Sequence, residues 1–233
     1  MKWELHVHTA ECDPHAKVEA AEIVKMYREI GYDGIVITDH YFMLSHEWFR
    51  EDVTEGDHRG FIDRWLRGYR AAREAGERLG LPVLLGAEVR LDGSNINDYL
   101  VYGLTEEFFY HAPLLHQFHG PEELIAALPA EACVVQAHPF RNGMTVQAPP
   151  VGLFGIEVYN GGTEDFRNGM AKDFAAHYGV IPTSGSDFHH PRHLGRGGIC
   201  TDRQIHTSAE LLDTLRSRAY SLIEGGQPVS RLL

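Results

Sequence analysis

The sequence predicts an α/β fold, a barrel of about seven parallel strands alternating with helices, in a single domain over residues 1–233. Short β-branched segments alternate with amphipathic segments, and histidines or acids follow most of the strands. No glycine-rich phosphate loop of the doubly wound folds follows the first strand. With 43% apolar residues among 233, the chain can cover one core of this size.

Seven segments have the β-branched, apolar character of buried strands. They span residues 4–8, 34–38, 82–89, 98–104, 132–137, 155–159 and 180–184. Because a strand, a helix and a further strand form a right-handed parallel crossover, their alternation with helices predicts a parallel sheet. Ligand-type residues at the strand ends favour a closed barrel over an open sheet.

Five segments have helical periodicity, and several end at helix signals. They span residues 18–30, 59–79, 121–128, 165–178 and 208–219. Pro121 suits a first helical turn, Gly31 and Gly80 suit C-terminal caps, and Thr207 with Glu210 has capping-box spacing. The connection over residues 41–58 is long enough to form a lid.

The charge balance limits the class of partner. Lys and Arg number 21 against 33 Asp and Glu, for a formal net charge of −12. An extended basic surface for long nucleic acid is therefore not expected. A small anionic substrate is compatible with this charge, because bound cations would dominate the local field.

The cysteines and the N-terminus indicate a cytoplasmic protein. Cys12, Cys133 and Cys200 are far apart and form no CxxC pair, so neither a disulfide framework nor a thiolate zinc site is predicted. The chain begins with polar–apolar alternation instead of a leader pattern, and no apolar run of about 18 residues occurs. We expect no membrane contact, and the oligomeric state is not encoded in any pattern.

Histidines are abundant, with 15 in the chain, and their positions predict a metal site. His6 and His8 are two apart on a predicted strand, so both imidazoles leave the same face and form a two-point clamp. The second strand leads into Asp39 and His40. We prefer His40 as the ligand, because an acid beside a ligating histidine often orients an imidazole instead.

Three further strands end in ligand-type residues. Glu88 follows the third strand, and a carboxylate at this place can bridge two cations. His138 follows the fifth strand, and Asp187 and His189 follow the seventh. A donor set of imidazoles and carboxylates suits Zn²⁺, Mn²⁺ or Fe²⁺, and the sequence does not choose among them.

Taken together, these motifs resemble those of the polymerase and histidinol phosphatase (PHP) superfamily. They are His6-x-His8, Thr38-Asp39-His40, Gly86-Ala87-Glu88, Ala137-His138-Pro139 and Gly185-Ser186-Asp187-Phe188-His189. The resemblance implies a distorted, TIM-like (β/α)7 barrel, a trinuclear metal cluster and, usually, phosphoester hydrolysis. It further implies one metal on His6, His8, Glu88 and Asp187, a second shared by Glu88 and His138, and a third on His15, His40 and His189.

Two positions depart from the family pattern. His15 lies in a segment whose spacing varies in the family, so Asp13 and Cys12 are alternatives for its role. Family members commonly carry a histidine on the fourth strand, where this chain has none, and Asp98 is the candidate substitute. If Asp98 does not ligate, two ions are expected instead of three.

The predicted function is hydrolysis of a small phosphorylated substrate. Arg141 directly follows the His138-Pro139-Phe140 segment, and its planar guanidinium suits phosphate oxygens. Asp39 is a candidate for protonating the leaving group.

Two alternatives stay open. An amidohydrolase-like enzyme would cleave C–N or ester bonds, although no lysine between Lys25 and Lys172 can supply its carboxylated bridge. A non-catalytic, metal-binding regulatory module is the other.

Overall fold

The computed structural model describes residues 1–92, 96–141, 145 and 149–229. These residues form one sheet of eleven strands. The strands are β1 (Lys2–Val7), β2 (Gly34–Ile37), β3 (His40–Tyr41), β4 (Val83–Arg90), β5 (Asp98–Tyr102), β6 (Cys133–Gln136), β7 (Gly155–Asn160), β8 (Ile181–Gly185), β9 (Ile199–Cys200), β10 (Ser221–Glu224) and β11 (Gln227–Pro228). Their order in the sheet is β11-β10-β9-β1-β2-β4-β5-β6-β7-β8, and β3 pairs with β4.

The sheet curls, so that the chain after β8 returns to β1. Val7 and Phe188 form an isolated parallel bridge at this point. The Phe188 N–H donates to the His6 carbonyl, and the His8 N–H donates to the Phe188 carbonyl, both at 3.1 Å. This curl fits the predicted distorted barrel, and it brings the motif that follows β8 beside the His6-x-His8 motif.

Of the seven predicted strands, β5 departs from the all-parallel prediction, and the further strands β9, β10 and β11 also pair antiparallel. β5 is antiparallel to both β4 and β6, whereas the pairs β1–β2, β2–β4, β6–β7 and β7–β8 are parallel. Only residues 91–97 connect β4 to β5, and a parallel crossover needs about a dozen residues or more. The short connection therefore returns the chain as a hairpin.

Eight α-helices occur in the described part of the chain. They are α1 (Ala20–Glu29), α2 (Met43–Trp48), α3 (His58–Trp65), α4 (Arg67–Leu79), α5 (Glu106–His111), α6 (Pro121–Ala127), α7 (Asp165–Tyr178) and α8 (Ser208–Ser217). The helix predicted over residues 59–79 is divided at Leu66 into α3 and α4. α2 lies within the predicted excursion over residues 41–58.

The helix signals predicted from sequence are present. Gly80 ends α4 in the left-handed conformation with φ 67°, where a side chain is disfavoured. Pro121 lies in the first turn of α6, and Thr207 with Glu210 forms a capping box on α8. Across the described residues, no helix is long and apolar enough to span a membrane.

Candidate metal centre

The two histidines of the first strand point into the same site, as their spacing predicted. His6 Nε2 lies 3.4 Å from Glu88 Oε2 and 3.6 Å from Asp187 Oδ1. His8 Nε2 lies 3.2 Å and 3.4 Å from the same two oxygens. All four side chains are at most 2% exposed. The clamp of β1 therefore meets carboxylates from β4 and from the segment after β8.

Glu88 is the central carboxylate of the site. Its Oε1 lies 2.9 Å from His138 Nε2, and its Oε2 lies 2.7 Å from His40 Nδ1. The register of β3 on β4 pairs His40 with Glu88 directly. Burial by itself raises the pKa of this carboxyl, but His6, His40 and His138 outweigh burial and lower it well below its usual range.

Asp13, not His15, completes the group around His40 and His189. Asp13 Oδ2 lies 3.0 Å from His189 Nε2 and 3.6 Å from His40 Nε2. The His15 side chain is exposed and lies edge-on to Trp48. The cause is local, because Asp13 Oδ1 accepts the His15 N–H at 2.7 Å and directs the two side chains differently.

The segment after β8 delivers two groups. His189 Nδ1 lies 3.1 Å from Asp187 Oδ1, and Asp187 adopts a left-handed backbone conformation with φ 50°. His138 is also left-handed, with φ 27°. Such conformations cost about 1–3 kcal/mol in non-glycine residues and persist where the surroundings hold them. The two residues with this backbone conformation, His138 and Asp187, are both candidate metal ligands.

Asp98 is placed differently from the prediction. Its two oxygens accept hydrogen bonds from Arg90 Nε at 2.6 Å and Arg90 Nη2 at 2.7 Å. Its nearest histidine nitrogen, His138 Nε2, is 3.8 Å from Oδ2. Because β5 is antiparallel, Asp98 opens this strand and pairs in register with Arg90. Its carboxylate is thus engaged by a guanidinium instead of facing the cluster.

Asp39 also lies behind the site instead of within it. Its carboxylate accepts hydrogen bonds from the Thr9 N–H at 2.7 Å and the Thr9 hydroxyl at 2.9 Å. Burial raises its pKa to about 7, although His8 and the Thr9 donors lower it. Among the described residues no ion pair joins Asp39 to a histidine. This placement fits a positioning role for the loop that carries Asp13, not proton transfer to a substrate.

Glu157 on β7 holds the imidazole of His6 and the backbone of His138. Its Oε1 lies 2.9 Å from His6 Nδ1, and its Oε2 accepts the His138 N–H at 3.0 Å. Asn160 donates to the same Oε2 at 2.9 Å. A carboxylate on the far nitrogen fixes the tautomer of an imidazole, so that His6 Nε2 faces the cluster.

Arg141 lies at the edge of the cluster. Its Nη1 is 3.2 Å from Asp187 Oδ2 and 3.3 Å from His138 Nε2. Asp187 raises the pKa of this guanidinium above its ordinary value, so it stays charged. A cavity of about 220 Å³ is lined by Arg141, Arg90, His40 and His138, among others.

The donor atoms fit divalent cations. His6 Nε2, His8 Nε2, Asp13 Oδ2, Glu88 Oε2 and Asp187 Oδ1 are buried and make no hydrogen bond of normal geometry within the described part of the chain. Buried polar atoms are rarely left in this state unless a ligand satisfies them. Three overlapping groups have mutual donor distances within 4.8 Å, namely His8-Asp13-His40-His189, His6-Glu88-His138 and His6-His8-Asp187.

Comparison with known protein families gives the class of this chain. The family model of the PHP domain matches residues 4–144, more than half of its length, so the chain belongs to the PHP domain family. A second model, described as PHP-associated, matches residues 166–220. No curated protein matches the chain significantly.

Solved structures with a similar fold include three bacterial proteins. A two-domain protein from Bacteroides vulgatus, containing a predicted PHP-like metal-dependent phosphoesterase, is 19% identical, with a TM-score of 0.72 over 99% of this chain and 66% of its own. PsfC from Pseudomonas syringae is 17% identical, with a TM-score of 0.66 over 97% and 92%. An inferred metal-dependent phosphoesterase from Bifidobacterium adolescentis is 19% identical, with a TM-score of 0.59 over 92% and 95%.

Proposed function

We propose that this chain is a metal-dependent hydrolase of a small phosphoester. The observation that carries the proposal is a set of buried donor atoms that make no hydrogen bond of normal geometry among the described residues and converge beside a half-buried cationic group, Arg141. Three carboxylates, Asp13, Glu88 and Asp187, meet there with five imidazoles. Their negative charge needs cations, and the cations in turn attract an anionic substrate.

The ligand groups suggest two or three ions, of zinc, manganese or iron. Their ligands would be drawn from three overlapping groups, which are His6 with His8 and Asp187, His6 with Glu88 and His138, and His8 with Asp13, His40 and His189. Because one imidazole nitrogen binds one ion, His6 Nε2 and His8 Nε2 would each serve a single ion, whereas the two carboxylate oxygens of Glu88 could serve neighbouring ions. When bound, such ions lower the pKa of water and take up charge on phosphoryl oxygens.

The residues of the chain itself supply recognition and orientation. Within the described part of the chain, Arg141 pairs with one carboxylate, Asp187, through one of its nitrogens, and its side chain is 38% exposed, so other guanidinium donors are available to phosphate oxygens. Arg90 is less available, because Asp98 engages it at two nitrogens. Glu157 holds His6, and Asp39 holds Thr9 in the loop that leads to Asp13.

The size of the site and the charge of the chain favour a small substrate. The cavity beside the cluster is about 220 Å³. The net charge of −12 disfavours long nucleic acid. A cytoplasmic location is part of the proposal, because all three cysteines are free thiols.

The first test combines metal content with a substrate panel. Purified full-length protein, reconstituted with Mn²⁺ or Zn²⁺, is assayed on phosphomonoesters, phosphodiesters and amides. We expect two or three ions per chain and metal-dependent phosphoester turnover. Turnover of amides alone would favour the amidohydrolase-like alternative, and full metal binding without any turnover would favour a regulatory module.

A substitution of Arg141 tests whether the site recognises the phosphate group of the substrate. Arg141→Ala should lower kcat/KM for the best phosphoester about 10- to 100-fold, the value of one charge-assisted hydrogen bond of about 1.5–3 kcal/mol. Metal content should not change. Arg78→Ala is the matched control, because Arg78 is exposed and its one ion pair among the described residues is with Glu74 on its own helix. Equal kinetics in both variants would remove Arg141 from the site.

A further inference from the structure

A second histidine pair lies outside the candidate metal centre, in the wall of a larger cavity. This cavity has a volume of about 720 Å³ and includes His46, Asp92 and His116 in its lining. His46 belongs to α2, and His116 belongs to a short 3-10 turn, Leu115–Gln117. Neither histidine belongs to the three groups of candidate ligands described above.

The two imidazoles face each other through their Nε2 atoms, which are 3.0 Å apart. Behind them, His116 Nδ1 lies 2.8 Å from Asp92 Oδ2. The His116 side chain is 4% exposed, whereas Asp92 is 33% exposed. The buried imidazole of His116 therefore has the Asp92 carboxylate at Nδ1 and the His46 imidazole at Nε2.

This arrangement defines the tautomer of His116. Asp92 accepts the Nδ1 hydrogen, so the lone pair of neutral His116 lies on Nε2 and faces His46. In the structure a hydrogen bond joins the two Nε2 atoms. A carboxylate that orients a histidine in this way is the usual partner of a metal-bound imidazole.

The distance between the two Nε2 atoms suits two ligands of one shared metal ion. Nitrogen ligands lie about 2.0–2.1 Å from Zn²⁺, so two of them on one ion stand roughly 3 Å apart. The ring of His46 is stacked on Phe61 at 3.9 Å and 11°, which holds its orientation. The cavity leaves room for water as further ligands, and the carboxylate-bearing Glu47 also lines it.

We propose that His46 and His116 bind one divalent transition-metal ion at the cavity wall, with Asp92 as the orienting carboxylate. The ion replaces the hydrogen bond between the two Nε2 atoms and keeps positions open towards the cavity. Imidazole donors select Zn²⁺, Ni²⁺ or Cu²⁺ over Mg²⁺ and Ca²⁺. The site is independent of the proposed hydrolase activity.

The test counts zinc ions per chain by equilibrium dialysis of the full-length protein. The proteins compared are wild type, His46→Gln, His116→Gln and His111→Gln. His111 is the matched control, because it is exposed and contacts Glu107 on its own helix. All four proteins keep every candidate ligand of the main centre. We expect one ion fewer in His46→Gln and His116→Gln than in wild type and the control.

A second variant tests the orienting carboxylate. Asp92→Asn should weaken the affinity for this ion about 10- to 100-fold without removing the site.

Equal zinc content in all of the histidine variants would overturn the proposal, as would the loss of a zinc ion in only one of the two variants His46→Gln and His116→Gln. If His116→Gln does not fold, His46→Gln decides, because His46 is only half-buried on a surface helix. Circular dichroism checks the fold of each variant.

Discussion

Asp13 shows how a single residue redirects the ligand set. Sequence spacing left Asp13, Cys12 and His15 as alternatives, and the structure places the Asp13 carboxylate 3.0 Å from His189 Nε2. Cys12 is buried on the other side, where its thiol donates to the Trp65 carbonyl. His40 and His189 lower the pKa of Asp13 against the effect of its burial, so it is an anion at neutral pH.

The placement of Asp13 instead of His15 at the site predicts opposite results for substitutions at the two positions. Asp13→Asn removes the only carboxylate of the group with His8, His40 and His189, so we expect it to bind one metal ion fewer or to bind it at least about tenfold more weakly. His15→Asn should keep the metal content and affinity of wild type. Metal titration followed by elemental analysis measures both variants. A loss in His15→Asn with none in Asp13→Asn would restore the original assignment.

At the scale of elements, α4 packs directly on Thr9 and Asp39, the hydrogen-bonded pair behind the candidate metal centre. A Cβ atom added to Gly68 would lie 2.0 Å from Thr9 Oγ1 and 2.6 Å from Asp39 Oδ2. These are the two side chains that hold each other behind the cluster. The absence of a side chain at Gly68 therefore lets the helix approach the Thr9–Asp39 pair.

Gly68→Ala should destabilise the protein by about 1–3 kcal/mol, the usual cost of overpacking a core. Gly169→Ala is the matched control, because Gly169 lies within α7 and an added Cβ would meet nothing within 4 Å. The control should gain about 0.5–1 kcal/mol. Chemical denaturation measures both free energies of unfolding. A neutral Gly68→Ala would show that α4 can move away without cost.

The antiparallel strand β5 also has a chemical consequence. Because the chain turns back after β4, Arg90 near one strand end stands opposite Asp98 at the start of the next. Their bidentate contact occupies Asp98. The sequence offered Asp98 as a substitute for the histidine that family members carry on the fourth strand, and the structure pairs its carboxylate with Arg90.

At the scale of the whole molecule, the site joins distant parts of the chain. His6 lies on β1 and His8 directly follows it, whereas Asp187 and His189 come from beyond β8, and the Val7–Phe188 bridge connects the two segments. β9 and β10 continue the sheet from the other edge of β1. Residues matched by the PHP domain model and those further along the chain thus share one sheet.

We therefore expect a single cooperative unfolding transition whose midpoint rises when metal is bound. At a free metal concentration 100 times the Kd, one site adds about 2.7 kcal/mol to the free energy of unfolding. Differential scanning calorimetry, with and without chelator, measures the effect. Two separate transitions would contradict the single domain, and an unchanged midpoint would contradict ions bound between distant segments.

Several features could be predicted from the sequence because they depend on local periodicity. The spacing of His6 and His8 predicted that both imidazoles leave the same face of the first strand, and strand-end positions identified His40, Glu88, His138, Asp187 and His189. The helix caps at Gly80, Pro121 and Thr207 follow from backbone chemistry within one turn. Local conformational preference and side-chain alternation act within a few residues, so they are visible in sequence alone.

The tertiary structure decided the choices that depend on contacts between distant residues. The choice between Asp13 and His15 depended on which of them lies near His40 and His189, and the structure places Asp13 there. The contact of Asp98 with Arg90 depended on the register of two strands. The oxygens of Asp39 were occupied by Thr9. Ligand-type side chains have several possible partners, and only the packed arrangement of strands determines which partner lies within reach.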